Sequence, residues 1–239
     1  MNTAKIIAVT QPMLDVDGNS ITNDTQVRMT PDQFIAYVAR VSNPSNQNNH
    51  LSSTKLLRYL AKHKHWSPFE QVDINMCIET TRDIGRQILR HRSFTFQEFS
   101  QRYADPTKDM GFVTREARLQ DTKNRQNSIE ISPAESESVA GLINDWDAIQ
   151  LTAIEAAKEA YSWAMRNGIA KEQARAILPE GLIMSRMYMK GSLRSWIHYC
   201  QVRTDISTQK EHREIALDAW YQITEVFPSL KDALDLGEK

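Results

Sequence analysis

The clearest hydrophobic pattern is a strict alternation over residues 72–79, VDINMCIE, in which an apolar residue occupies every second position. Because successive side chains of a strand point to opposite faces, this alternation predicts a strand with one buried face. Two further apolar segments, AKIIAVTQ at 4–11 and LIMSRMYM at 182–189, are also predicted to be strands. The chain therefore supplies the strands of a small sheet.

Helix signals begin at TPDQ, residues 30–33. Thr30 can cap a helix there, Pro31 suits its first position, and Gln33 can complete a capping box. A second helix is predicted over 53–63, where leucines recur on one stripe.

The second half of the chain is predicted to be mainly helical. The tetrapeptide SPAE at 132–135 has the form of another capping box, and we expect one long helix from there to the Asn-Gly pair at 167–168. A short helix over 170–178 and a final long helix over 192–227 should each stop at the proline that follows.

These elements predict an α+β fold that is mostly helical and has a small central, largely antiparallel sheet. The polar stretch 104–131 adds one possible strand near 111–118. We find no internal repeat and no low-complexity tract, so we expect residues 1–239 to form a single domain.

The composition is that of an ordinary globular protein, with 41% hydrophobic and 25% charged residues. The formal net charge of −1 argues against nucleic acid or a membrane surface as a partner, since proteins that bind them are usually basic. Cys77 and Cys200 lie far apart, so we expect no disulfide framework and a cytoplasmic location. We expect no signal peptide and no membrane span.

Cationic chemistry is concentrated in one short segment, RHRSFTFQEFSQRY at 90–103. Arginine carries a planar fork of donors that fits phosphate, so several arginines near one place indicate a phosphorylated ligand. Arg82, Arg86 and Arg90 recur every four residues and share one predicted helix face. Like charges at this spacing are tolerated best opposite carboxylates or an anion, so ion pairing on a solvated face is the alternative interpretation.

A second polar set lies far along the chain. Arg194, His198, Gln201 and Asp205 fall on one stripe of the predicted final helix, and Arg203 projects to the other side of the neighbouring apolar stripe. One helix could therefore present a polar set to one ligand and Arg203 to another.

The segment at 90–103 resembles the signature of the flavin-dependent thymidylate synthases, R-H-R-x-x-S-x(4)-S-x-R. The chain has Thr95 in place of the first serine, so the hydroxyl is kept. Three further segments resemble the family in the expected order: HWSPFEQ at 65–71, ARAILPEG at 174–181 and LRSWIHYCQVRTDISTQKEHRE at 193–214. The resemblance covers roughly residues 30–215.

The last of these segments resembles a family region that begins R-S and ends A-Q-x-E-[IL]-R. The chain departs from it at His198, where asparagine is frequent, and at Thr208, which precedes the glutamine. The histidine puts a flavin contact at that position in doubt and could make it sensitive to pH.

The resemblance implies a flavin-dependent thymidylate synthase-like fold and activity. Enzymes of this family convert dUMP to dTMP with methylenetetrahydrofolate as the carbon donor and FAD, reduced by NADPH, as the hydride source. It also implies a homotetramer whose active sites are shared between subunits. It implies no cysteine nucleophile and no metal.

Carried over residue by residue, the resemblance also implies the site. The expected FAD contacts are Ser67, Arg90, His91, Arg92, Glu98, Ser192, Leu193, Arg194 and His198. The expected dUMP contacts are Gln87, Ile88, Leu89, Arg90, Glu98, Phe99, Ser100, Gln101, Arg102, Arg175 and Arg203. Arg203 is the expected catalytic residue, which polarises the uracil ring.

Two other functions stay open at the level of sequence. The first is a flavin- or nucleotide-binding protein that has lost methyl transfer. The second is a single-stranded nucleic-acid binder that stacks bases on the aromatic residues of the cationic segment, Phe94, Phe96, Phe99 and Tyr103. A zinc site at His63 and His65 lacks the ligand spacing that zinc motifs have.

Overall fold

The computed structural model describes residues 2–23, 26–234 and 236. At its centre is a four-stranded antiparallel sheet in the order β1-β2-β6-β3. These strands are β1 (Thr3–Val9), β2 (Asp73–Thr81), β3 (Thr95–Glu98) and β6 (Met184–Ser192). The strands predicted at 4–11, 72–79 and 182–189 are therefore confirmed, and the α+β prediction is confirmed with them.

Helices make up much of the rest of the described chain. Their bounds are α1 (Pro31–Ala39), α2 (Ser53–Lys62), α3 (Arg82–Ile88), α4 (Pro106–Asp109), α5 (Glu137–Arg166), α6 (Lys171–Ala174), α7 (Leu193–Arg203), α8 (Lys210–Val226) and α9 (Pro228–Lys231). A separate two-stranded hairpin is formed by β4 (Arg118–Gln120) and β5 (Ser128–Glu130).

Burial alternates along β2, so the sheet has one buried face and one more exposed face. Ile74, Met76 and Ile78 are fully buried, whereas the residues between them are partly exposed. Helices α3, α7 and α8 pack against the sheet. Trp196 of α7 lies in the core, and its Nε1 donates to the carbonyl oxygen of Ile74 at 3.1 Å, so its one polar atom is satisfied.

The two predicted capping boxes behave differently. At α1 the box is confirmed, because Thr30 Oγ1 accepts from the Gln33 backbone and the Gln33 side chain accepts from the Thr30 backbone. At α5 the predicted start is wrong, because residues 132–135 form a separate turn. The helix begins at Glu137, with Ser136 as its cap.

The predicted end of α5 is confirmed. Asn167 is the C-cap, and Gly168 follows with a φ of 74°, a left-handed conformation that glycine adopts without strain. Within the described residues, no helix, including this one of 30 residues, combines the length and the apolar composition that crossing a membrane requires.

The final helix predicted over 192–227 is wrong as a single element. It is divided into α7 and α8 by residues 204–209. Asp205 Oδ1 accepts from the backbone and hydroxyl of Ser207, at 2.9 and 2.6 Å, and such side-chain bonds compete with helical ones. Asp205 therefore lies beyond the helix, and the predicted polar stripe ends at Gln201.

The strand predicted over 111–118 is also wrong. In that range Phe112 makes a single isolated bridge to Ile183, and β4 begins only at Arg118. The short helix predicted over 170–178 is confirmed as α6 followed by the 3₁₀ turn Arg175–Ile177.

The ring of Phe94, near the start of the cationic segment, packs directly against the backbone of Gly191 in β6. A Cβ built at Gly191 would lie 2.5 Å from Cδ1 of Phe94, closer than packed carbon atoms come. The Phe94 ring cannot yield easily, since it is buried against Trp196 at a centroid distance of 4.8 Å. The missing side chain therefore leaves the space in which Phe94 packs.

Candidate functional site

The cationic segment, residues 90–103, begins as a turn directly after α3. Arg90, His91 and Arg92 lie between the end of α3 and β3. Arg90 and Arg92 are exposed, and neither makes an ion pair with a carboxylate anywhere in the described ranges 2–23, 26–234 and 236. Their guanidinium groups are thus free to donate to an anion.

Arg203, at the last residue of α7, reaches this turn. Its Nε donates to Nε2 of His91 at 3.0 Å. Burial, with the nearby charges of Arg203 and His198, lowers the pKa of His91 to about 4. His91 is therefore neutral near pH 7, which its role as an acceptor from Arg203 requires.

Two residues that sequence reasoning missed lie behind this pair. Tyr199 and His212 are fully buried, and the rings of His91 and Tyr199 meet edge to face with centroids 4.9 Å apart. Burial, then Arg203 and His91, lowers the pKa of His212 to about 3. His212 stands where the family region has isoleucine or leucine, and this departure was the signal that could have identified it.

The first two arginines of α3 are paired with carboxylates. Arg82 lies 3.3 Å from Glu98 and 3.5 Å from Glu180, and Arg86 lies 3.8 and 3.5 Å from the same two residues. Ser185 also donates to Glu98, at 3.3 Å. Carboxylate pairing is therefore confirmed for Arg82 and Arg86, but the solvated face is wrong for Arg82, which is buried. A ligand contact by Glu98 stays a prediction.

The expected substrate residues after β3 come near α6. Arg102 lies 3.5 Å from Glu172, and Lys171 donates to the carbonyl oxygen of Tyr103 at 2.8 Å. These contacts bring Ser100–Arg102 close to α6, and Arg175 directly follows that helix. Gln101 is buried and Phe99 is half-buried.

The expected flavin residues Ser67, Ser192 and Arg194 come together at the other end of α7. Ser192 Oγ caps this helix by accepting from the Ser195 backbone at 3.2 Å, and it donates to Glu70 at 2.5 Å. Arg194 lies 3.5 Å from the same carboxylate, and Ser67 begins the 3₁₀ turn that carries Glu70.

Some expected contacts have their side chains in the core. Leu193 and Ile88 are fully buried, and the backbone N–H of Leu193 donates to Val72 at 2.7 Å. Leu89, the C-cap of α3, is half-buried, whereas His198 is exposed on α7. The side chains of Leu193 and Ile88 are therefore not placed to contact a ligand within this chain.

Within one chain, the two ends of α7 belong to separate groups. This helix has 11 residues and is about 16 Å long, with Ser192 and Arg194 at one end and Arg203 at the other. The sequence-predicted residues are therefore collected into groups at the two ends of α7 and near α6, and not into one compact pocket.

A second buried ionic network, also missed by sequence reasoning, lies beside these groups. Glu211 at the start of α8 pairs with Arg118 and, at 3.1 Å, with Arg115. Arg115 also lies 2.7 Å from Asp83 and donates to the carbonyl oxygen of Gly181 at 3.1 Å. This network ties the segment after α4 to α3 and α8.

A cavity of about 760 Å³ opens next to that network. It lies between the β4–β5 hairpin, the start of α5 and the loop that joins α7 to α8. Trp146 and Leu142 supply apolar walls, and Arg213 and Lys210 supply cations. Gln209 also lines it, and Nε2 of Gln87 donates to Gln209 at 2.8 Å.

Neither cysteine has the environment of a nucleophile. Burial raises the pKa of Cys200, and burial is also the main cause of a raised pKa at Cys77, so both thiols stay protonated. No group of three histidine, cysteine or acidic residues that could hold a metal ion occurs in the part of the chain that the structure describes. His63 stacks on Tyr59 with centroids 4.0 Å apart.

The stacking platform required by the nucleic-acid alternative is not available as a whole. Phe94 is buried against Trp196 and Tyr199, and Phe96 is partly buried against the same core. Tyr103 alone among these rings is largely exposed.

Comparisons with known proteins identify the family to which this chain is similar. The family model described as "Thymidylate synthase complementing protein" matches residues 25–229. A flavin-dependent thymidylate synthase of Synechocystis is 46% identical over 231 residues, which cover 97% of this chain and 98% of that protein. A probable flavin-dependent thymidylate synthase of Paramecium bursaria Chlorella virus 1 is 42% identical, covering 98% and 99%.

A solved structure has the same fold. It is the UMP/dUMP methylase PolB from Streptomyces cacaoi bound with 5-Br UMP, with a TM-score of 0.72 at 22% identity, covering 98% of this chain and 93% of that one. With a family model that matches most of its length and relatives that match nearly all of it, the chain belongs to the thymidylate synthase complementing protein family.

Proposed function

We propose that this protein is a flavin-dependent thymidylate synthase. It would convert dUMP to dTMP with methylenetetrahydrofolate as the carbon donor and FAD, reduced by NADPH, as the hydride source. Two relatives of this name, 46% and 42% identical over almost the whole chain, support the proposal. The observation that carries it is the contact of Arg203 with His91, beside two arginines that have no carboxylate partner.

The chemistry of the available donors fits FAD. Arg90 and Arg92 offer planar, permanently charged groups suited to a pyrophosphate, and a hydroxyl-rich group lies at the start of α7. We therefore assign the flavin contacts to Ser67, Arg90, His91, Arg92, Glu98, Ser192, Leu193, Arg194 and His198. When bound, reduced FAD supplies the hydride.

We assign dUMP to the arginines near the cationic segment and to their neighbours. The proposed contacts are Gln87, Ile88, Leu89, Arg90, Glu98, Phe99, Ser100, Gln101, Arg102, Arg175 and Arg203. Arg175 makes no ion pair with any described carboxylate, so its guanidinium can bind an anion such as the nucleotide phosphate.

Arg203 is the proposed catalytic residue. The Nε of Arg203 donates to neutral His91, and the terminal nitrogens of Arg203 have no partner among the described residues. A fixed cation beside the pyrimidine stabilises the negative charge that develops when the ring nitrogen loses its proton. Electron density then rises at the ring carbon that accepts the methylene group.

We treat Ser100 as a binding residue and not as a nucleophile. Its Oγ accepts from the backbone of Arg102 at 3.4 Å, and no general base among the described residues hydrogen-bonds to it. The protonated thiols of Cys77 and Cys200 likewise support a route without a cysteine nucleophile.

We further propose a cytoplasmic homotetramer whose active sites are shared between subunits. The separation of Arg194 and Arg203 at opposite ends of α7 supports sharing, because one helix then contributes to two places. The cavity of about 760 Å³ has the size of a typical ligand pocket. Gln209, which lines it, contacts Gln87, so the cavity is a candidate entrance for a co-substrate.

The decisive experiment is the visible absorption spectrum of the purified protein, recorded before and after addition of dUMP. We expect flavin bands that shift with dUMP, followed by dTMP formation when NADPH and methylenetetrahydrofolate are added. A protein that takes up no FAD would overturn the proposal. A shift without dTMP formation would favour the binding protein that has lost methyl transfer.

A further inference from the structure

A chain of four hydrogen bonds runs from Tyr199 to Glu211. Tyr199 Oη lies 3.1 Å from Nε2 of His212, and Nδ1 of His212 lies 3.2 Å from Oε1 of Gln87. Nε2 of Gln87 donates to Oε1 of Gln209 at 2.8 Å, and Nε2 of Gln209 donates to Glu211 at 2.9 Å. Gln87, a proposed substrate residue, is therefore in the middle of this series of hydrogen bonds.

The carboxylate of Glu211 sets the direction of every bond in this chain. An ionised carboxylate only accepts, so Gln209 must turn its NH₂ group toward Glu211 and its oxygen toward Gln87. Gln87 must then point its own NH₂ group at Gln209 and its oxygen at His212. Since that oxygen only accepts, Nδ1 of His212 is the donor.

The Tyr199 end of this series of hydrogen bonds is consistent with the same donor and acceptor directions. A neutral imidazole that carries its proton on Nδ1 has Nε2 free to accept, and the Tyr199 hydroxyl is positioned to donate to it. Burial lowers the pKa of His212 to about 3, so this imidazole is neutral near pH 7. Both ring nitrogens are satisfied inside the core, as a fully buried histidine requires.

We propose that His212 is a positioning residue for the nucleotide. By donating to Oε1 of Gln87, it fixes the oxygen end of an amide whose NH₂ end is held by Gln209. One N–H of that amide is left to donate to an acceptor oxygen of dUMP. The inference rests on the proposed function, since Gln87 is assigned to dUMP there. With an isoleucine or leucine here, as in the family region, the Gln87 amide would keep only its bond to Gln209.

The test is a double-mutant cycle on dUMP affinity, measured by flavin absorbance with the FAD-loaded, full-length protein. We expect His212→Leu to weaken dUMP binding about threefold to tenfold, the range for one hydrogen bond, without loss of FAD. In a Gln87→Ala background, the same substitution should change the affinity less than about twofold, because no amide remains to be oriented.

Two further variants keep the inference falsifiable if His212→Leu does not fold. His212→Asn places an amide N–H near the position of Nδ1 and should recover most of the affinity. Tyr199→Phe removes the donor that holds the imidazole and should weaken dUMP binding in the same direction. His63→Leu, the same change at an exposed histidine, is the matched control and should bind dUMP normally.

Each outcome has one meaning. An equal loss with and without Gln87, or no loss from His212→Leu, would show that His212 only fills the core. Affinity that does not recover in His212→Asn, together with normal affinity in Tyr199→Phe, would overturn the inference as well. If the wild-type protein binds FAD but no dUMP, the proposed function fails, and this result is distinct from all the others.

Discussion

Two sets of arginines occupy neighbouring regions of the molecule and have opposite surroundings. The paired arginines, Arg82, Arg86, Arg115 and Arg118, each contact at least one carboxylate. The open arginines, Arg90, Arg92, Arg175 and Arg203, make no ion pair with any carboxylate in the described residues. Arg86 and Arg90 are four residues apart, yet they belong to different sets, because Arg86 lies in α3 and Arg90 lies in the turn after it.

The difference separates arginines that hold the fold from arginines that can hold a ligand. A guanidinium already facing carboxylates gains little from an added anion, whereas an open one keeps all its charge and most of its donors available. Mutual repulsion among open arginines lowers the free energy of unfolding. Such a set is therefore expected where an anionic ligand supplies the missing negative charge.

The largest expected effect is on catalysis, from an open arginine. Arg203→Ala should lower dTMP formation by about 100- to 1,000-fold, because the developing charge on the pyrimidine loses its fixed cation. FAD should stay bound, since Arg203 is not among the proposed flavin contacts. Turnover and the flavin spectrum measure both results.

Arg58→Ala is a matched control for that experiment, because Arg58 is an exposed arginine that pairs with Asp232 away from the site. It should leave turnover unchanged. Wild-type turnover in Arg203→Ala would remove Arg203 from the mechanism and weaken the distinction between the two sets.

The next effect is on stability, from the partner of two paired arginines. Glu211→Gln removes the carboxylate between Arg115 and Arg118, which are both largely buried, and should lower the free energy of unfolding by about 3 kcal/mol. Chemical denaturation would measure it. Glu225→Gln, at an exposed position of the same helix, should have almost no effect.

The stability difference between wild type and Glu211→Gln should change with pH in one direction. Burial, the largest single influence, would raise the pKa of Glu211. Its own backbone N–H, Arg115, Gln209 and Arg118 together outweigh burial and bring the pKa below its ordinary 4.5. Stability from the ionised carboxylate is therefore present above pH 4.5 and is lost as the pH falls below it. The gap between wild type and Glu211→Gln should shrink in the same range, and a gap that widens on acidification would contradict the assignment.

A smaller effect is expected on FAD affinity. Arg92→Ala should weaken FAD binding by about 10- to 100-fold, the range for hydrogen bonds to a charged group. It should change the stability of the apoprotein by less than about 0.5 kcal/mol, since Arg92 is exposed and unpaired. A large loss of apoprotein stability would instead assign Arg92 to the paired set.

The smallest expected effect concerns Arg102, which has features of both the paired and the open arginines. It is a proposed dUMP contact, yet it lies 3.5 Å from Glu172, and both side chains are more than half exposed. Glu172→Ala should cost less than about 1 kcal/mol of stability, as exposed pairs do. dUMP binding should stay the same or tighten slightly, and a clear weakening would mean that Glu172 positions Arg102 for the ligand.

The sequence predicted those elements whose causes lie within a few residues. The capping box at Thr30 succeeded because all of its partners lie between Thr30 and Gln33. The same reasoning failed at Ser132, where Glu135 turns back to accept from the Ser132 backbone at 2.6 Å and leaves Ser136 to start the helix. Identical local signals can close a turn or open a helix, and the choice depends on the next residues.

The site was predictable where it is continuous in sequence and not where tertiary packing assembles it. The R-H-R turn was found because its three residues are adjacent. His212 and Gln87 are 125 residues apart, and Arg118 and Glu211 are 93 apart, so no local pattern joins them. Charge alone also did not separate Arg86 from Arg90, since the distinction lies in Glu98 and Glu180, which approach from other elements.

The close packing of Phe94 on Gly191 also has an evolutionary consequence. A larger residue at 191 can be accommodated only if the ring at 94 becomes smaller, because Trp196 and Tyr199 block its retreat. In related sequences, these two positions should therefore covary or both stay constant. Arg90, in the turn that also carries Arg92, lies four residues before Phe94. Drift at one glycine would therefore be transmitted to two of the open arginines.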